Sequence, residues 1–224
     1  MKAMILKQFG GVENFAVEEI PQPEIGDREV LVQVKAIGID PIDVKTRKGS
    51  GMASRYTGGQ PIVLGWNVSG VITKVGKKVK GFVVGDDVFG TVNFPGRGSS
   101  YAEYMAAPED QLAKKPTSIS SVEASAATLS ILTAWQALIE TRGIRPGDKV
   151  LIHGAAGGVG NYAVQIAKHF GAYVVGTASG DDMDFVRKLG ADKVIDYKTQ
   201  RFEELTDGFD LILDSIGGRI LSVP

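Results

Sequence analysis

Residues 151–160 read LIHGAAGGVG: apolar, β-favouring residues running into four glycines spread over seven positions. Alone, such a stretch is either a packing turn between two buried elements or a cradle for a phosphate. Its flanks decide the weight. Lys149–His153 reads as a strand and Val159–Phe170 as a helix stopped by Gly171, so the loop leaves a strand and opens a helix. The spacing is Gly154-x-x-Gly157-x-x-Gly160, with Gly158 extra. Early glycines permit a sharp turn and let backbone amides approach an anion with no Cβ in the way, while Gly160 lets the new helix pack closely on the strand. The orphan amides and dipole of a helix start favour an anion there by about 1–2 kcal/mol. No Lys-Ser/Thr follows Gly160, which removes the Walker-type loop and leaves a dinucleotide as the better ligand, with the bare packing turn as the alternative.

Working outward, strand and helix alternate as in a doubly wound parallel sheet. Ala172–Thr177 is predicted as a second strand, Asp182–Leu189 as a helix before Gly190, Lys193–Asp196 as a third strand and Phe209–Asp214 as a fourth. Upstream, Ser120 and Glu123 form a capping-box pattern before an Ala- and Leu-rich helical stretch, Ala124–Ile139. The first part of the chain is different. Val30–Val34, Val68–Val75 and Val83–Val92 read as strands punctuated by PQPEIGD, VGKKVKG, VGDDVFG and FPGRG. Their irregular spacing points to a partly closed barrel. The division falls at residues 1–119 and 120–224, giving an α/β chain with a β-rich first domain.

The bulk composition excludes more than it assigns. The 224 residues carry a net charge of −1, with no block of like charges, which argues against a nucleic-acid binder. Unbroken apolar runs are a handful of residues, far below the roughly 20 of a bilayer span, and the start MKAMILKQFGG has too short an apolar core for a signal peptide. A cytoplasmic location with no membrane partner is therefore expected. Glycine, at 29 of 224, is nearly twice its usual share of about 7%. There is no cysteine, and the only histidines are His153 and His169, so disulfides and thiolate zinc sites are excluded.

The choice between NAD and NADP rests on the end of the second strand, where NAD sites place an acid on the ribose. Here that end is Thr177-Ala178-Ser179-Gly180, small and hydroxylic, with room for a 2′-phosphate. Asp181, Asp182 and Asp184 follow at once. They are read mainly as N-capping residues, with Arg187, Lys188 or Lys198 as compensating cations. NADPH is the expected cofactor.

The chain resembles the medium-chain dehydrogenase/reductase superfamily, in its zinc-free quinone oxidoreductase (zeta-crystallin-like) and enone reductase branch. The resemblance rests on GIDPIDVKTRKG (38–49), LGWNVSGVITKVG (64–76), VGDDVFG (84–90), SYAEYMAAP (100–108), LTAWQAL (132–138), VLIHGAAGGVGNYAVQIAK (150–168), LGADKVIDY (189–197) and FDLILDSIGG (209–218). It implies a GroES-like β-barrel domain followed by a Rossmann domain, with the active site in the cleft between them. Zinc-dependent relatives carry a Cys near position 40 and Gly-His-Glu near 65–67; this chain has Asp40 and Gly65-Trp66-Asn67. Some relatives bind the 2′-phosphate through a Lys near the position of Asp182, a contact missing here, while Ser179 and Tyr197 match positions that hold it. The chain also looks incomplete by comparison, with a helix expected between Gly218 and Arg219.

The implied chemistry is hydride transfer to a small electrophilic acceptor, a quinone or an α,β-unsaturated carbonyl. Asp40, Asp43 and Lys45 are the candidate catalytic residues, Lys45 to hold the acceptor oxygen or the cofactor carboxamide and Asp43 to orient it; the alternative is a solvated turn with capping aspartates. Thr133, Ala156, Gly157, Gly158, Val159, Ser179 and Tyr197 are the candidate cofactor contacts. Tyr56 and Trp66 are placed either at the acceptor pocket or in the core. No metal site is expected, and a homodimer is implied by the family alone. The competing function class is an NADPH-binding zeta-crystallin-like protein with a structural or RNA-binding role and little turnover.

Overall fold

A computed structural model describes residues 1–56, 58, 61–202 and 208–217. The expected gap between Gly218 and Arg219 lies outside the described residues. The chain forms two compact units, Met1–Leu129 and Ser130–Pro224.

The first unit contains, in chain order, β1 (Lys2–Leu6), β2 (Phe15–Glu19), β3 (Glu29–Gly38), helix α1 (Pro41–Arg47), β4 (Ile62–Val63), β5 (Asn67–Val75), β6 (Asp87–Thr91), β7 (Tyr104–Pro108) and β8 (Ala113–Lys114). They make two antiparallel sheets, β2-β1-β4 and β7-β3-β5-β6-β8. Val30, Val32, Val68, Ile72, Val88, Val92, Met105 and Ala107 form the core of the larger sheet. The β3–β5 ladder opens with Gly38 opposite Asn67 and runs to Val30 opposite Val75, with irregularities at Leu31/Val32 and Val34/Ala36. That register brings Asp40, two residues beyond the end of β3, beside the start of β5.

The expected strand Val83–Val92 is shorter in the structure. It begins at Asp87, because the Asp86 carboxylate accepts the Val83 amide at 2.9 Å and closes a turn that leaves Val83 and Val84 exposed. The short strands β1, β2, β4, β7 and β8 carry no sequence signal strong enough to have been marked.

Helix α2 (Ser121–Trp135) starts where the capping box predicts: the Ser120 hydroxyl accepts the Glu123 amide at 3.2 Å and the Glu123 carboxylate accepts the Ser120 amide at 2.8 Å. It runs on into a π-helical turn, Gln136–Thr141. Together Ser121–Thr141 are long and apolar enough to cross a membrane by length and composition, a property that a search for unbroken apolar runs misses. Ala124, Ala134 and Leu138 of this stretch are fully buried.

The second unit continues with β9 (Lys149–His153), α3 (Gly158–His169), β10 (Tyr173–Ala178), α4 (Asp182–Lys188), β11 (Lys193–Asp196) and β12 (Leu211–Asp214). Its sheet is parallel throughout, ordered β11-β10-β9-β12, the alternation expected from sequence. Both sheet faces must be covered, so β9 and β10 read as near-continuous apolar runs; Val150, Ile152 and Val174 meet Ala163, Val164 and Ala167 of α3 in one core. Gly171 takes φ +80° just past α3, the left-handed stop that glycine supplies at least cost.

Gly160 fixes how close α3 comes to β9. A Cβ there would lie 2.1 Å from the Gly154 carbonyl oxygen and 2.7 Å from the Ala155 Cα, both backbone atoms that cannot rotate away. Gly160→Ala is expected to lose about 2–3 kcal/mol, read in urea unfolding as a lowered midpoint at unchanged slope. A loss below about 0.5 kcal/mol would show that the approach is not tight.

Candidate functional site

In the second unit the glycine loop has the geometry of a cradle. Gly154 turns the chain at φ +62°, and two backbone bonds hold the turn: Ala155 N–H to the Thr177 carbonyl and Gly157 N–H to the Gly154 carbonyl, each 2.9 Å. Gly157 is the extended N-cap of α3. The amides of Gly158, Val159 and Gly160 form its first turn and have no acceptor within the helix. Gly157 and Gly158 are exposed and carry no side chain over those amides. A Cβ would lie 3.2 Å from the Gly154 carbonyl at Gly157 and 3.1 Å from the Ser130 hydroxyl at Gly158, so both positions are closely fitted.

A cavity of about 710 Å³ opens beside the loop, lined in part by Gly154, Ala156, Gly157, Thr177, Ser179, Asp182, Tyr197 and Arg201. Of the residues expected to contact a cofactor, Ala156, Gly157, Ser179 and Tyr197 share this wall. The Ser179 and Tyr197 hydroxyls are bonded to each other at 3.1 Å. Gly158 and Val159 stand at the helix start, with Val159 packed against the core. Thr133 is exposed on α2 and does not line the cavity.

The acidic cluster divides differently from expectation. Asp181 precedes α4 but its side chain makes no cap bond. Asp184 pairs with Arg187 at 2.5 Å, and Asp182 lines the cavity. Neither Arg187, Lys188 nor Lys198 reaches that wall; Arg201 does, and the sequence reading did not single it out. His153 is 2% exposed, its Nδ1 lies 3.2 Å from the Thr177 hydroxyl, which also accepts the Gly154 amide at 3.2 Å, and its ring packs on Phe202. It braces the strand end.

In the first unit, Asp40 and Asp43 form a reciprocal cap on α1. Asp40 takes the amide of Asp43 on its side chain, and the Asp43 carboxylate accepts the Asp40 amide at 2.8 Å. The buried Asn67 donates its side-chain amide to Asp40 and accepts the Thr91 hydroxyl at 2.9 Å. Asp40 and Asn67, two of the positions at which metal-dependent relatives of the kind named above differ from this chain, are thus hydrogen-bonded to each other. Burial pushes the Asp40 carboxyl up, opposed by the Asn67 bond. Asp43, 3% exposed, is pushed up to about 6, first by burial and further by the charge of Asp40, against the bonds from the Asp40 amide and the Tyr101 hydroxyl. Burial, then the Asp43 charge, raises the Tyr101 phenol well above its ordinary range.

Lys45 does not join this pair. Two residues on from Asp43 it is turned by about 200° around the helix, and its side chain is exposed while Asp43 is buried. Tyr56 and Trp66 are core residues: both are buried beside Leu6 and Leu64, the Trp66 indole donates to the Gly96 carbonyl at 3.0 Å, and the Tyr56 hydroxyl accepts the Gly98 amide at 2.9 Å. The tie from Asn67 to Asp40 was invisible in sequence because the β3–β5 register makes it.

Comparison with known proteins follows the same division. Residues 26–117 match the alcohol dehydrogenase GroES-like domain and residues 158–223 the zinc-binding dehydrogenase family model. The chain is 39% identical to a 2-methylene-furan-3-one reductase of Solanum lycopersicum, over 97% of this chain and 57% of the relative. It is also 39% identical to an NADPH-dependent alkenal/one oxidoreductase, chloroplastic, of Arabidopsis thaliana, over 97% of this chain and 58% of the relative. The chain therefore spans somewhat over half the length of these two. The structure of the quinone oxidoreductase from Coxiella burnetii superposes with a TM-score of 0.90 at 36% identity, covering 98% of this chain and 70% of that one.

The raised Asp43 carboxyl has a signed consequence. The folded state holds its proton up to about pH 6, whereas the unfolded state releases it near pH 4. Asp43 therefore subtracts stability as pH rises from about 4 to 6, up to about 3 kcal/mol in full. Asp43→Asn, which keeps an acceptor for the Asp40 amide, should gain on the parent protein across that window and hold the gain above it. Denaturant unfolding from pH 4 to 8 would contradict this if the difference between the two proteins stayed flat.

Proposed function

This chain belongs to the medium-chain dehydrogenase/reductase superfamily, in its zinc-free quinone oxidoreductase and enone reductase branch, and on that premise we propose that it reduces a quinone or an α,β-unsaturated carbonyl with NADPH. The observation that carries the proposal is the glycine cradle at the start of α3, opening on a cavity with the hydroxyls of Ser179 and Tyr197 on its wall. The donor set opposite a metal reading is equally specific: Asp40 and Asn67 are spent on each other, and Trp66 is packed in the core.

NADPH, when bound, supplies the hydride. The residues of the chain do the rest by holding and by charge. The amides of Gly158 and Val159 and the dipole of α3 receive the pyrophosphate, with Ala156 and Gly157 leaving the approach open. Thr133 is assigned to the carboxamide. Reduction builds negative charge on the acceptor oxygen, and a cation placed there lowers the barrier; Lys45, exposed on α1, is assigned that role. Asp40 and Asp43 fix the start of α1 that carries it. The same proposal includes a cytosolic location, a homodimeric state and the division at residues 1–119 and 120–224.

The test is NADPH consumption, followed by its near-ultraviolet absorbance, against a panel of quinones and enones. Reduction of at least one acceptor class is expected, and Lys45→Ala should lower kcat/KM about 10- to 100-fold with NADPH affinity unchanged. Binding of NADPH without reduction of any acceptor would instead favour a cofactor-binding protein with little turnover.

A further inference from the structure

The cavity beside the glycine loop has one charged residue of each sign on its wall among the described residues, Asp182 and Arg201. We infer that Arg201 is the residue that selects a 2′-phosphorylated dinucleotide, and that Asp182 opposes it within the same pocket. The inference rests on the dinucleotide reading of the preceding subsection and names the residues that set its specificity.

The placement of Arg201 follows from a turn that the sequence does not announce. After β11, the Asp196 carbonyl accepts the Thr199 amide at 3.2 Å and the Gln200 amide at 2.8 Å, and its carboxylate accepts the Lys198 amide at 2.9 Å. This one-residue anchor folds the chain back on itself. Tyr197, Gln200 and Arg201 reach the cavity wall, while Lys198 and Thr199 do not. The Tyr197 amide is tied in turn to the Ala178 carbonyl at 3.2 Å, which sets the turn directly against the end of β10, next to Ser179.

The chemistry of this corner suits a phosphate. Ser179 and Tyr197 present two hydroxyls bonded to each other at 3.1 Å, which can turn their protons from that mutual bond toward an oxyanion, and a guanidinium supplies paired donors that match a phosphate edge. A ribose diol would need an acceptor instead, and the acceptor present is the Asp182 carboxylate. The two side chains therefore pull the preference in opposite directions. Charge-assisted bonds from an Arg and two hydroxyls to a dianion outweigh one carboxylate–hydroxyl contact, so the phosphorylated cofactor wins, with its margin reduced by Asp182.

Equilibrium titration of the parent protein, Arg201→Ala, Arg201→Lys and Asp182→Asn separates these roles, with NADPH, NADH, adenosine 2′,5′-bisphosphate and AMP as the probes. Arg201→Ala should weaken NADPH and the bisphosphate about 10- to 100-fold and leave NADH and AMP within about twofold. Arg201→Lys should recover part of the loss, and Asp182→Asn should tighten NADPH several-fold. Equal loss for phosphorylated and unphosphorylated probes, or no loss, would overturn the assignment of Arg201 while leaving the dinucleotide site standing. Failure of the parent protein to bind either dinucleotide would overturn the dinucleotide reading itself, and this inference with it.

Discussion

The second unit depends on one close approach. Helix α3 lies against the end of β9 with only a glycine Cα between its backbone and the Gly154 carbonyl. That contact fixes where the first-turn amides point, and it requires Gly154 to turn at positive φ in order to present its carbonyl to Gly157. The neighbouring strand then completes the loop, since Thr177 on β10 takes both the Ala155 amide on its carbonyl and the Gly154 amide on its hydroxyl. A side chain at Gly160 would push these pieces apart together. The cavity with Ser179, Asp182, Tyr197 and Arg201 follows from the same arrangement, because it lies at the carboxyl ends of β10 and β11.

The first unit is organised around a different constraint, a pair of aspartates that cap one helix and are partly taken out of water. Each cap bond favours an ionised carboxylate and burial disfavours it; for Asp43 burial prevails. Burial prevails at Asp40 as well, and the bond donated by Asn67 only opposes it. Retaining a buried carboxyl of this kind costs stability, and a helix cap alone is available more cheaply from an exposed Ser or Asn.

Much of this was legible in the sequence, and the reasons are local. The strand–glycine–helix signal of residues 151–160, the Ser120–Glu123 box and the left-handed Gly171 each depend on neighbours a few positions away, so pattern and turn chemistry were enough. The strands of the first unit were harder. Val83 and Val84 have strand-forming side chains, yet the Asp86 carboxylate three positions later closes a turn around them. The Asp40–Asn67 bond joins residues that only the β3–β5 register brings together. Arg201 was overlooked in favour of Arg187, Lys188 and Lys198, because net charge nearby says nothing about which cation a turn will aim inward; Arg187 proved to be spent on Asp184.

The family membership and the fold place this chain in the medium-chain dehydrogenase/reductase superfamily, and the proposed function lets a nicotinamide cofactor carry the difficult step while the protein orients and neutralises. Within that frame its own features are the Asp40–Asn67 tie and the cavity wall that Asp182 and Arg201 share. The central claim is that the loop at the start of α3 binds a dinucleotide. Isothermal titration of the purified protein with NADPH tests it most directly. One site per chain with a dissociation constant on the order of 1–100 µM is the predicted result, and no heat of binding at cofactor concentrations on the order of 1 mM would contradict it.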